Sequence, residues 1–167
     1  MKTLHILFLF SFLFLLTSQS CKKKEKLPEG DHTLYCYIDG EFFVPNKSDC
    51  NVTSTYPCTE ALQFSKTDII FRVLAKGEKY ILGFNVMNWD VGTFYLENGN
   101  PDFYDFKTYA IVHIRGGATY ISRDSSGWVK FEQASPDGDT KGTFEFTLYN
   151  VEDSTDVIRV TDGHFDD

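Results

Sequence analysis

"GTFEFTLY", Gly142–Tyr149, decides the fold class. In an extended chain successive side chains point to opposite faces. Phe144, Phe146 and Leu148 therefore share one face, while Thr143, Glu145, Thr147 and Tyr149 share the other. That is the pattern of a strand with one buried side. The same grammar repeats on either side of it. Strand-like runs are expected at Thr33–Ile38, Glu41–Val44, Leu62–Phe64, Ile69–Ala75, Tyr80–Val86 and Thr93–Glu97, then at Tyr109–Arg115, Thr119–Ser122, Trp128–Gln133, Thr143–Asn150 and Val157–Thr161. They are short, rich in β-branched and aromatic residues, and separated by turn signals. Those signals include Asp39–Gly40, "KGEK" at Lys76–Lys79, "ENGNPD" at Glu97–Asp102, "DSSG" at Asp124–Gly127 and "PDGDTKG" at Pro136–Gly142. No window carries a long helical period; a short helix near Thr59–Gln63 is the most the chain allows. The expected class is all-β: an antiparallel β-sandwich, or a strongly curved, barrel-like sandwich, of about eight to ten strands.

The start of the chain is of another kind. "ILFLFSFLFLL", Ile6–Leu16, is apolar apart from Ser11. Such a run falls short of the roughly 20 residues that a membrane-spanning helix needs. It has the length of the apolar region of an export signal. Small and polar residues follow, then Cys21, then "KKKEK". This resembles a bacterial lipoprotein signal, in which a cysteine directly follows the cleavage point and receives lipid. Ser20 fits that pattern, and Ser18 and Gln19 fit it more loosely. The resemblance implies a signal peptide over residues 1–20, a lipidated Cys21 with a charged linker over 21–32, and one domain over 33–167. It also implies a cell-envelope location, on the outer membrane, its periplasmic side or the surface. Two or more acyl chains anchor a protein stably where one holds it marginally.

From Leu27 on, 11 Lys and Arg face 23 Asp and Glu, a formal net charge of −12. A body so acidic repels phosphate backbones, which excludes nucleic acid as a partner. If lipid takes Cys21, then Cys36, Cys50 and Cys58 remain, enough for one disulfide and one free thiol. "CNVTSTYPC" reads as a polar loop that a Cys50–Cys58 bridge would staple, stabilising by roughly 2.5 kcal/mol. Cys36 alternates with Leu34 and Ile38 and suits a buried strand face, although pairing with either other cysteine stays open. No CxxC pair or His cluster has zinc spacing, and no metal or other cofactor is expected.

Four short stretches carry a further resemblance: "CYIDGEFFVP", "GTFYL", "GTFEF" and "IRVTDGHFD". Together they are similar to a family of small uncharacterised lipoproteins of the Bacteroidota phylum. That family opens Cys–x–x–(Asp/Asn)–Gly–x–x–(Phe/Trp) and closes near Ile–Thr–x–Gly–x–Phe. Val160 stands where the ending usually has Ile. The resemblance spans about residues 33–167 and implies an envelope-anchored β domain with no agreed activity.

Nucleophile-elbow, zinc-protease and phosphate-loop motifs are absent from the sequence, so no catalytic residue is named. His113 and Arg115 would share a strand face able to meet an anion. Asp137 and Asp139 flank Gly138 like part of a calcium loop, but no acid follows at the required spacing. The "DGHFDD" ending reads as an acidic, frayed terminus. "DST", Asp153–Thr155, resembles the O-glycosylation acceptor of Bacteroidota envelope proteins, with Ser154 as the acceptor. Trp89, Tyr104 and Trp128, near predicted strand ends beside Asn and Asp, are the candidates for stacking on a ligand such as a sugar ring; the competing role is to fill the core. Taken together, the sequence points to a lipid-anchored, non-catalytic module that binds a glycan, a peptide or another envelope protein. The alternatives are a glycan-active hydrolase with paired carboxylates and a purely structural envelope protein.

Overall fold

A computed structural model describes residues 27–29, 32–46, 61–100 and 106–167. These hold eleven strands: β1 (Thr33–Ile38), β2 (Glu41–Phe43), β3 (Leu62–Lys66), β4 (Ile70–Lys76), β5 (Tyr80–Met87), β6 (Gly92–Tyr95), β7 (Tyr109–Ile114), β8 (Thr119–Ile121), β9 (Gly127–Gln133), β10 (Lys141–Asn150) and β11 (Val157–Asp166). Each expected run is a strand, and the described residues contain no helix. The count exceeds the expected eight to ten, because even the three-residue runs at β2 and β8 pair. Leu62 and Gln63, where a short helix was conceivable, open β3.

All pairings are antiparallel and join the strands into one strongly curled sheet, a half-barrel. Its order is β2-β1-β11-β10-β8-β7-β5-β4-β3. The stretch that decided the fold class lies in β10, at the centre. One edge of β10 pairs with β11 along its length. The other edge forks: Lys141–Phe146 pair with β9, and Tyr149–Asn150 pair with β8. β9 then carries β6. Gly127 makes the fork possible, since a Cβ there would sit 2.8 Å from Phe146 Cα and closer to the Glu145 carbonyl. The ends of the curl meet at a few polar links. Asn46 donates to the Lys76 carbonyl (3.0 Å), and Lys66 reaches both the Asp167 carboxylate (2.9 Å) and the Gly138 carbonyl (2.8 Å).

The concave face is packed with rings. Phe165 lies 5.3 Å from Phe71, 5.4 Å from Phe131 and 5.9 Å from Phe84, centroid to centroid. Phe84 lies 5.1 Å from Phe144. These are favourable aromatic spacings, and each such ring fully buried stabilises the fold by about 1.5–3 kcal/mol. Cys36 sits in this core with no exposure and a free thiol, so it pairs with neither Cys50 nor Cys58. Burial pushes its pKa far above the usual thiol range. Cys21, Cys50 and Cys58 lie outside the described residues.

The C-terminus corrects an expectation. β11 does not stop near Thr161 and fray; it runs to Asp166. Asp167 exchanges two backbone hydrogen bonds with Thr140 (2.7 and 2.9 Å), and its carboxylate is 5% exposed beside Lys66. The alternation breaks at Asp162, where a bulge adds one residue to β11: Phe146 faces Val160, but Phe144 faces Gly163. Asp162 adopts φ 52°, and the inward positions jump from Val160 to Gly163 and Phe165.

Candidate functional site

The fork leaves one outward face unlike the rest. On β9, Val129 and Phe131 enter the core, so Trp128 and Lys130 point outward. On β10 the outward residues are Thr143, Glu145, Thr147 and Tyr149; on β11 they include Arg159, Thr161 and His164. On β1, opposite in parity to Leu34, Cys36 and Ile38, they are Tyr35 and Tyr37.

Strand register sets these side chains in rows. Tyr95 of β6 faces Trp128, and Trp128 faces Glu145. Thr147 faces Arg159. Thr161 faces Tyr37, and Tyr37 faces Phe42 of β2. Directly opposite residues hold their Cβ atoms about 4.5–5.5 Å apart. A groove of about 340 Å³ lies across this face, lined by Ser126, Trp128, Glu145, Thr147, Arg159 and Thr161 among others. Its size is at the lower end of ligand sites. At one side it continues into a half-exposed aromatic group: Tyr35 stacks on His164 at 5.3 Å, and Tyr37 lies 5.3 Å from Phe42. At the other, Tyr95 is 65% exposed. Near the fork, the Arg123 guanidinium covers the Tyr149 ring at 4.2 Å.

The two tryptophans separate here. Trp89, a candidate for stacking on a ligand, takes the competing role and fills the core. It is 7% exposed, packs 5.3 Å from Phe71 and 5.7 Å from Phe131, and its Nε1 donates to the Thr67 carbonyl (2.8 Å). A buried indole N–H needs such a partner. Trp128 is half-buried against the groove, and among the described residues its Nε1 has no acceptor. Likewise, no side-chain hydrogen bond or ion pair engages the Glu145 carboxylate or the Arg159 guanidinium among those residues. The groove thus presents to a ligand an aromatic surface, an acceptor, a strong donor and the hydroxyls of Thr147 and Thr161, while the Ser126 hydroxyl already accepts from the Arg123 backbone N–H (2.9 Å). Tyr104 lies outside the described residues.

A second cavity, about 430 Å³, is lined by Pro28, His32, Val44, Pro45 and Leu62 among others.

The remaining candidates are tied into the fold. His113 meets the Thr119 hydroxyl at 2.7 Å, and burial pushes its pKa below the ordinary imidazole value. Arg115 donates Nε to the Gly77 carbonyl (2.9 Å). They therefore do not form an anion site. Between Asp137 and Asp139, the Gly138 carbonyl is taken by the Lys66 ammonium, a cation already in place. No cluster of three or more metal-ligating side chains exists among the described residues. Ser154 is exposed in the β10–β11 turn, where Asp153 Oδ1 accepts from the backbone N–H (2.9 Å) and hydroxyl (2.7 Å) of Thr155.

Two phenol–carboxylate pairs, unforeseen in the sequence, sit at the turn end opposite the start of β1. Tyr80 donates to Glu41 (3.1 Å), which also binds Lys79; Tyr120 donates to Asp156 (2.8 Å), which also accepts from Asn150 (2.8 Å). The Lys79 hydrogen bond holds Glu41 below the usual carboxylate range. The hydrogen bond to Asp156, with some burial, raises Tyr120. Both pairs bind turns to strands, and each carboxylate is already occupied. Tyr35 and Tyr37 were legible as the residues of "TLYCYI" that alternate with Leu34, Cys36 and Ile38, and Phe42 as the neighbour of the inward Phe43; the unpaired state of Glu145 and Arg159 had no sequence signal. No known protein family, curated protein or solved structure matches the chain.

Proposed function

We propose that the chain is a lipid-anchored cell-envelope module, tethered at Cys21, that binds a partner on the outward face of β6, β9, β10 and β11. The observation that carries the binding part is the groove beside Trp128. There an indole N–H, a carboxylate and a guanidinium lie together with no protein partner among the described residues. By contrast, the Trp89 indole donates to the Thr67 carbonyl and the Arg115 guanidinium to the Gly77 carbonyl, so those two groups are spent on the fold. The anchoring part rests on Ile6–Leu16, Cys21 and "KKKEK". Cys21 precedes β1 by only twelve residues, at most about 40 Å of chain, which would keep the module close to its membrane.

The experiment compares envelope material retained by the anchored protein with that retained by variants. Trp128→Ala and Arg159→Ala should lose the partner, and Ser65→Ala, on the exposed side of β3, should keep it. Retention by all three variants alike would defeat the assignment of this face.

A further inference from the structure

Resting on that binding face, we infer that its occupant is a neutral glycan, with one pyranose ring stacked on Trp128. A sugar ring offers an apolar C–H face and a rim of hydroxyls, each both donor and acceptor. The groove is complementary on both counts. Trp128 supplies the flat apolar surface, with Tyr95 beside it. Trp128 Nε1 and Arg159 donate, Glu145 accepts, and the hydroxyls of Thr147 and Thr161 do either.

Charge narrows the class. The body from Leu27 on carries −12, yet the groove holds one carboxylate against one guanidinium. A polyanion meets repulsion from the body before it reaches the groove. A polycation finds denser acid elsewhere, as at Glu152, Asp153 and Asp156. A neutral ligand with many hydroxyls faces neither conflict.

The face also sets the length. The row from Tyr95 through Trp128, Glu145, Thr161 and Tyr37 to Phe42 crosses β6, β9, β10, β11, β1 and β2. Neighbouring strands lie about 4.8 Å apart, so these six span roughly 24 Å. With rings at both ends and polar groups between, that span suits several linked sugars lying across the strands.

The test titrates full-length protein in detergent with neutral gluco-, manno-, galacto- and xylo-oligosaccharides, with uronate oligosaccharides and with an oligolysine peptide. The expected result is binding of at least one neutral series, with affinity rising with chain length and persisting at about 0.5 M salt, where charge attraction is screened. Trp128→Ala and Arg159→Gln should each weaken it about tenfold or more, Trp128→Phe should retain most of it, and Ser65→Ala should not change it. Binding confined to uronates or oligolysine, or abolished by salt, overturns the neutral-glycan assignment. If no glycan binds while a photo-crosslinker at position 128 still captures an envelope protein, the glycan inference fails and the face assignment stands. If neither occurs, both fail.

Discussion

Gly163→Ala should destabilise the domain through a single contact. Gly163 faces Phe144 across the β10–β11 ladder, and a Cβ there would lie 2.6 Å from Phe144 Cγ and nearer still to two other ring carbons. Phe144 is fully buried between Phe84 (5.1 Å) and Phe146 (5.1 Å), so the ring has little room to yield. Overpacking of this kind costs about 1–3 kcal/mol. Phe144→Ala alone leaves a cavity and costs about 3–5 kcal/mol. In the double variant the new methyl points into the space the ring has left. Its cost should then fall below the sum of the single costs by about 1–3 kcal/mol. Urea unfolding followed by the fluorescence of the buried Trp89 measures all three variants on one cycle. Costs that add to within about 0.5 kcal/mol, or a neutral Gly163→Ala, would refute the close approach of this ring to this backbone.

Other expectations follow from the same packing. Trp89→Ala should cost about 3–5 kcal/mol in urea unfolding, whereas Trp128→Ala should cost within about 1 kcal/mol and act on binding. Cys36 should resist alkylation in the native state and react on unfolding; rapid native labelling would contradict its burial. Because the folded thiol pKa is raised, the neutral form is favoured in the fold, and that contribution is intact below the unfolded thiol pKa of about 8.5. Above it the unfolded state ionises first, so stability should fall by up to about 1.4 kcal/mol per pH unit, and Cys36→Ala should flatten that slope between about pH 8.5 and 9.5. Cys21→Ala should release the protein from the membrane fraction; continued lipid labelling of that variant would remove the anchor from the account.

Strand positions were legible because the period-two pattern is local. "GTFEFTLY" shows its faces without help, and Phe144, Phe146 and Leu148 do enter the core. What escaped was set by partners distant in sequence. The bulge at Thr161–Asp162 shifts the alternation by one, so Phe165 looked like part of a frayed tail although it lies in the middle of the core. The fork of β10 depends on Gly127 lying against Glu145 and Phe146, a contact no local pattern announces. Trp89 and Trp128 look alike in sequence, each flanked by turn residues. The Thr67 carbonyl and the rings of Phe71 and Phe131 draw one inward, while the pairing of β9 between β6 and β10 turns the other out.

The proposed function places the partner on the Trp128 face. An aromatic photo-crosslinking residue, which keeps a ring at position 128 as Trp128→Phe does, is placed there in the anchored protein in intact cells and read for covalent adducts. Binding at this face should give a discrete adduct from position 128 that is absent when the same residue replaces Ser65. No adduct at 128, or the same adducts from both positions, would contradict it.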